Sequence, residues 1–382
     1  MTDVAVVGGG TIGLSIAWRA RRAGLEVVVV DPEPGRGSSW VAGGMLAPVT
    51  EAHFGEDALI RLNLASAERW PAFTRELEAE SGRSVGFRAH GTLFVAFDDD
   101  DFAFAQDLRR YQEDLGLETQ WLTSRQARAL EPALAPAVRG ALFAPRDNAV
   151  HTRNLVEALV AAAEKSGTVF LRSRATSIDI DEGAVIGVTV EGGGTVSAPA
   201  VVLAAGSWSS SIAGLPAGML PPVRPVKGQI IRLASPPSGM STPFPKRTVR
   251  GVVGGHHVYV VPRDDGSLVV GATAEERGFD TTVTGGGVYE LLRDAHRLVP
   301  GITELVLYDA SAGLRPGSPD NAPIVGPPAR PGARGLLFAT GHYRNGIHLT
   351  PITADAVVAH LTGSDPLPEL SPFGPDRFGA SR

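Results

Sequence analysis

Val4-Ala5-Val6-Val7-Gly8-Gly9-Gly10-Thr11-Ile12-Gly13 is the stretch on which the fold turns. Four apolar residues in a row fit a strand buried on both faces. A G-x-G-x-x-G spacing follows at Gly8, Gly10 and Gly13. Ile12, Ile16 and Ala20 then recur at helical spacing, with Arg19, Arg21 and Arg22 elsewhere on the wheel and Gly24 placed to end the helix. A second apolar run, 26–30, closes at Asp31-Pro32. The first glycine permits the tight turn, the second lets a pyrophosphate approach the backbone, and the third lets helix and strand pack closely. Free N–H groups at the helix start, around Thr11 and Ile12, favour the phosphates. Asp31 lies 18 residues beyond Gly13, close to the spacing of about 20 at which an acid meets the ribose hydroxyls. A glycine-rich turn alone says little. Strand, turn, helix, strand and acid in that order predict a dinucleotide site in an α/β, Rossmann-like domain.

Composition narrows the rest. At 382 residues the chain has room for two domains. Glycine and proline number 46 and 29, which predicts many tight turns between short elements. The net charge of −6 gives no footprint for nucleic acid or an anionic membrane. With no cysteine, disulfides, thiolate nucleophiles and cysteine-ligated metals are excluded. No apolar run of about 18 residues suggests a membrane span. A folded element beginning by Val4 leaves no room for a signal peptide, so a cytoplasmic location is expected.

Three later segments point to a flavin rather than a nicotinamide. Arg36-Gly37-Ser38-Ser39-Trp40-Val41-Ala42-Gly43-Gly44-Met45-Leu46 follows the second strand. Its small side chains let backbone wrap a flat, bulky ring. Residues 200–207 read as a buried strand ending at Gly206, after strands at 168–171, 175–180 and 185–190 with turns at Gly183 and Gly192. The third is Gly335–Pro351, where a strand (336–339) meets Gly341-His342-Tyr343-Arg344-Asn345-Gly346-Ile347-His348 and a helix follows through 352–361. The positive end of such a helix stabilises a reduced, anionic flavin by about 0.3–1 kcal/mol.

The motifs Gly8–Gly13, Ser38–Leu46, Ala312–Gly317 and Gly341–Gly346 together resemble those of the glycine oxidases, a family within the D-amino-acid oxidase superfamily. They span nearly the whole chain in family order, and Gly-His-Tyr-Arg-Asn-Gly is the most specific. The resemblance implies non-covalent FAD, with Ala175 contacting the adenine through its backbone and Ser38, Ser39, Gly43, Gly44, Met45, Gly206 and residues 342–348 around the cofactor. It implies a mainly antiparallel sheet roofing the flavin, built from strands at 88–97, 140–143, 223–233, 257–262 and 267–271. The division expected is a discontinuous FAD-binding domain (1–85, 145–215, 306–370), a substrate-binding domain (86–144, 216–305) and a flexible tail (371–382). A homo-oligomer, commonly a tetramer in that family, is also implied.

The same resemblance places Arg315, in Ala312-Gly313-Leu314-Arg315-Pro316-Gly317, on a substrate carboxylate. A planar guanidinium suits it, donating two parallel hydrogen bonds, and Pro316 pushes Arg315 towards an extended conformation. Arg344 is a second contact to substrate or flavin. Tyr259 would set its hydroxyl near the carboxylate, and His257 shares its face if 257–262 is a strand; a structural role for His257 is preferred. His256-His257 lacks metal-site spacing, and no metal is implied. Ala274 stands where the family pattern carries methionine, which enlarges the pocket. Lys227 has two readings, oxygen activation or a structural tie between domains, the second favoured. The acids Asp98–Asp101 read as a solvated loop. The expected chemistry is oxidative deamination of glycine or a related small amino acid or secondary amine, by hydride transfer to flavin N5, with no strong general base and with O2 reoxidising the flavin to give H2O2. The imine would feed thiazole synthesis. A dehydrogenase with another acceptor and a flavin-bearing RNA-modification module stay open as alternatives.

Overall fold

A computed structural model describes residues 1–378. Its first layer is a six-stranded sheet in the order Ile324–Gly326, Leu336–Thr340, Ala200–Leu203, Val4–Val7, Val27–Val30, Val169–Leu171. Neighbours are parallel except for the antiparallel Ile324–Gly326 edge. Alternation along the first strand explains the sandwich. Val4 and Val6 pack with Ile16, Ala17 and Ala20 of the helix Thr11–Arg22 and with Ile352 and Val357 of the helix Thr350–Thr362. Ala5 and Val7 face the other way, onto Ile178, Val185 and Val188 of a three-stranded antiparallel sheet. Burying each such valine is worth about 1.5–3 kcal/mol.

The second layer is an eight-stranded sheet: Val306–Gly317, Arg224–Ala234, Ser267–Gly271, His256–Pro262, Thr248–Val253, Thr92–Ala96, Gly140–Ala144, Gln120–Thr123. Pairs are antiparallel except Thr248–Val253 with Thr92–Ala96. One face carries Ile231, Leu233, Val249, Val258, Val260 and Val270, which pack on Leu291, Ala295 and Leu298 of the helix Gly285–Leu298. The alternate positions, including His257, Tyr259, Gly271 and Arg250, therefore face the other side, where the site lies.

The chain departs from its sequence pattern in three places. Strand Val306–Gly317 pairs with Arg224–Ala234 from Val306↔Ala234 to Gly317↔Arg224, so 306–317 sits in the larger sheet rather than with the expected cofactor segment. Its run of small residues, Ala310 to Gly313, hid a strand that is two-sided and only half-buried. The acids after Phe97 are not a loop. Asp98 caps the helix Asp99–Asp114 by accepting from the Asp101 N–H at 2.9 Å, and three aspartates occupy the first turn, where the helix dipole favours them. Beyond residue 370 the expected tail forms two short 3-10 turns, Pro368–Phe373 and Pro375–Phe378. Phe373 is buried there, and Arg377 holds Asp320 at 2.8 and 3.1 Å. The remainder of that tail, 379–382, lies outside the described residues. Among the described residues no helix is long and apolar enough to cross a membrane.

Candidate active site

A cavity of about 770 Å³ runs between the two sheets. One end begins at the glycine turn. A Cβ at Gly8 would lie 2.4 Å from the Ala204 carbonyl oxygen, and one at Gly13 would lie 1.9 Å from that of Gly8. Gly13 thus serves helix–strand packing and does not line the cavity. Gly10 meets nothing nearer than Ser39 Oγ at 3.4 Å, which leaves its backbone open to approach. Asp31 accepts from the Gly9 N–H at 2.7 Å and the Glu33 N–H at 2.8 Å. Its carboxylate shapes the turn as well as facing the cavity. Ser39 Oγ accepts from the Thr11 N–H at 3.1 Å, tying the small-residue segment to the helix start. Ile12, Pro32, Ala175 and Gly206 line the same end.

From there the walls are Ser38, Val41–Gly44 and Met45 on one side and His342, Tyr343, Arg344, Gly346 and Ile347 on the other. A trough that starts at a bare glycine turn with a carboxylate beside it, and continues between two small-residue segments, fits the length and shape of FAD. Two residues of the predicted turn point elsewhere. His348 donates from Nε2 to the Asn63 carbonyl at 2.7 Å and is buried against the long helix Asp57–Ser81. Asn345 lies outside the cavity wall, where its carbonyl accepts from the Leu349 N–H at 2.8 Å. Their flanking glycines suggested a wholly cofactor-facing turn, but the segment Tyr343–Asn345 winds as a 3-10 turn, and Asn345 and His348, three residues apart, turn away from the cavity into the core.

The roof is a row across the larger sheet. Arg250 pairs with Tyr259, Tyr259 with Gly271, Gly271 with Ile230, and Ile230 with Ser311. Glycines make the room. A Cβ at Gly271 would lie 2.3 Å from the Tyr259 hydroxyl, and one at Gly43 would lie 2.6 Å from it. A Cβ at Gly228 would lie 2.4 Å from Nη1 of Arg315. Tyr259 and Arg315 thus lie flat across neighbouring strands, and Arg315 Nη1 donates to the Thr273 carbonyl at 3.0 Å. Burial raises the Tyr259 phenol pKa, so it stays protonated and can donate.

Beyond Tyr259 the wall holds residues that motif spacing did not single out: Glu51, His53 and Arg250. Arg250 Nη1 lies 3.3 Å from Glu51 Oε1 and 3.5 Å from Thr50 Oγ1. The segment carrying Thr50 and Glu51 is pinned by the fully buried Asp147, which accepts from the N–H groups of Val49 and Thr50 at 3.0 Å each and from the Thr50 hydroxyl at 2.6 Å. Arg344 meets His53 Nε2 through Nη1, and its Nη2 lies 3.6 Å from Glu56. Burial, then Arg344, holds His53 down at about 4; burial, then Arg250, lowers His257. Both imidazoles are neutral near pH 7. One signal for Arg250 was present: a charge inside the apolar run Thr248–Val253, directly before a Gly-Gly turn.

Two further arginines hold the floor. Arg232 Nη2 donates to the carbonyls of Trp40 and Val41 at 2.9 and 3.0 Å, and Arg263 donates to those of Val150 and Gly43. Both are buried. Lys227 lies on the opposite face, buried, with Nζ 2.8 Å from Asp280. Ala274 lines the cavity. His256 comes near Glu290 and Asp294, but both Asp294 oxygens already accept from Arg293 at 2.7 and 3.0 Å.

The chain belongs to the DAO family of FAD dependent oxidoreductases, whose pattern it matches over residues 3–360. Within that family it is of the glycine oxidase type. It is 34% identical over 379 residues to the glycine oxidase of Geobacillus kaustophilus, covering 97% of this chain and 96% of that protein. The crystal structure of glycine oxidase from Geobacillus kaustophilus superposes with a TM-score of 0.90 at 32% identity, covering 98% of both chains. A bifunctional protein ThiO/ThiG from Trichormus variabilis is 33% identical over 379 residues, which cover 98% of this chain and 55% of that protein.

Proposed function

We propose that this protein oxidises glycine and related small amines, such as sarcosine and small D-amino acids, with O2 as the electron acceptor. The observation that carries the reading is the guanidinium of Arg315 laid over Gly228 into the cavity, in reach of the same space as the Tyr259 hydroxyl. Only one of its N–H groups is used by the Thr273 carbonyl, which leaves others for a carboxylate. Arg250 and Arg344 add positive charge at this end. Such a field disfavours an ammonium and lowers the pKa of a bound amine, so the substrate sits as the neutral amine that can give up its α-hydrogen. The amine binds neutral or loses its proton to solvent on binding; His53, held near 4 with its Nε2 on Arg344, takes none, and no general base of this chain is assigned. FAD, held between the glycine turn with Asp31 and the segments 38–45 and 342–347, would supply the two-electron oxidant, with O2 as the final acceptor and H2O2 as its product. The product imine is hydrolysed to the oxo acid and ammonia or is delivered to thiazole synthesis, a use that follows the resemblance to the glycine oxidases and is in keeping with likeness to a bifunctional ThiO/ThiG protein. Ala274, smaller than the methionine of the resembling pattern, leaves room for amines larger than glycine.

Anaerobic titration of the purified flavoprotein tests this. Glycine, sarcosine or D-proline should bleach the flavin absorbance, and in air one H2O2 should form per amine consumed. Bleaching without peroxide would replace O2 by another acceptor. No bleaching by any of the three would remove the amine-oxidase reading.

A further inference from the structure

The far wall of the cavity holds a buried guanidinium that the α-carboxylate contact does not use. Arg250, Arg315 and Arg344 line the substrate end, and Glu51 is the one carboxylate side chain lining it there among the described residues. Arg315 serves the α-carboxylate in the proposed reaction. Arg344 is engaged by His53 and faces Glu56. Arg250 is different. It is 7% exposed, and its partners among the described residues, Glu51 and Thr50, both meet Nη1, at 3.3 and 3.5 Å; Nη2 and Nε carry no hydrogen bond to protein among the described residues.

Its position is built. Strand pairing sets Arg250 opposite Tyr259, and His257 sits two residues along on the same face. Asp147, 0% exposed, anchors the Val49–Thr50 backbone from which Thr50 and Glu51 reach Nη1. A buried guanidinium whose outer edge faces a cavity is stabilised by an anion there. With Glu56 counted beside Glu51, the three guanidiniums keep one positive charge, which one carboxylate matches; it is the open Nη2 and Nε edge of Arg250 that calls for a second acceptor.

Resting on the amine-oxidase reading, we infer that Arg250 and His257 form a second acid-binding subsite, and that the preferred substrates are amino acids bearing a second carboxylate on the nitrogen substituent or the side chain. Arg315 takes one carboxylate, Arg250 takes the other, and His257 donates to it. The space opened by Ala274 admits the larger molecule.

The test compares matched substrates on the holoenzyme. N-(carboxymethyl)glycine against sarcosine, and D-aspartate against D-asparagine, should each show kcat/KM at least tenfold higher for the diacid. Arg250→Met should reduce that ratio at least tenfold, and Arg250→Lys should restore part of it. Malonate should bind at least tenfold tighter than acetate by calorimetry, with the difference lost in Arg250→Met; this readout needs no turnover. If sarcosine is oxidised but the diacids are no better, or if Arg250→Met slows every substrate equally, the subsite is wrong and the oxidase reading stands. If no amine of either kind reduces the flavin, both fall.

Discussion

Arg315 lies flat against Gly228, a Cβ at which would come 2.4 to 2.5 Å from three atoms of the guanidinium. The two residues sit on paired strands, with Val226 opposite Arg315 and Gly313 opposite Gly228. The arginine leans diagonally over its neighbour, and only glycine there lets it reach the cavity. Gly228→Ala should therefore displace the guanidinium while leaving the strand ladder intact. We expect kcat/KM for glycine to fall roughly a hundredfold, as for a misplacement near 1 Å, mostly through KM. Arg315→Ala should cost about 3–5 kcal/mol of transition-state binding. A loss below about tenfold in Arg315→Ala would contradict its contact with the substrate carboxylate.

The loop under the ring space depends on two arginines that never meet substrate. Arg232 and Arg263 bind the carbonyls of Trp40, Val41, Gly43 and Val150 from the larger sheet. Removing either leaves buried carbonyls unpaired, at about 1–3 kcal/mol each. Arg263→Met should release FAD on gel filtration and lower Tm, and added FAD should recover part of both. Full flavin retention in Arg263→Met and Arg232→Met would show that the loop holds its shape without them.

At the opposite end Asp31 does two things with two oxygens, accepting from Gly9 and from Glu33. Asparagine offers one acceptor and a donor in its place, so one of these N–H groups loses its partner. Asp31→Asn should weaken FAD binding roughly tenfold, about 1.4 kcal/mol and within the range for a hydrogen bond to a charged group, measured by quenching of flavin fluorescence on titration. Unchanged affinity would make the turn self-supporting.

The amount of this that was legible in the chain follows from which signals are local. The glycine turn, the apolar strands and Asp31 are neighbours in sequence, and each constrains backbone geometry by itself. Motifs point to Arg315, Tyr259 and Arg344, and all three line the cavity. They do not point to Arg250 and Glu51, because these meet only when strand Thr248–Val253 lies beside His256–Pro262 and above a loop some 200 residues earlier. Spacing cannot encode that. His348 shows the converse failure: its place in the motif suggested the cofactor, yet its ring answers Asn63 in the core. Residues 306–317 are grouped with the cofactor segment in the sequence because a half-buried strand of alanine and glycine lacks the apolar alternation that marks strand edges.

Buried imidazoles make stability depend on pH in a direction that can be worked out. Burial lowers the pKa of His53, His151 and His348 to about 4 and that of His342 to about 3, from 6.5. Between those values and 6.5 the unfolded chain binds protons that the folded chain refuses. Folded stability therefore rises with pH across this window and is lost as pH falls from 6.5. Asp147, raised to about 6 by burial, opposes the trend below pH 6, as do Glu56, Asp101 and Asp355, which burial also raises; His257 and His360, which burial lowers, add to it. Each pH unit within the window costs about 1.4 kcal/mol per fully shifted histidine. His342 and His348 are the most deeply buried of the four; His342 Nε2 lies 3.0 Å from Thr353 Oγ1. Tm should drop by several degrees between pH 6.5 and pH 5, and His348→Gln, which keeps a donor for the Asn63 carbonyl, should flatten part of that slope. A Tm that holds constant over this interval would mean that these rings take up protons in the folded state as readily as in the unfolded one.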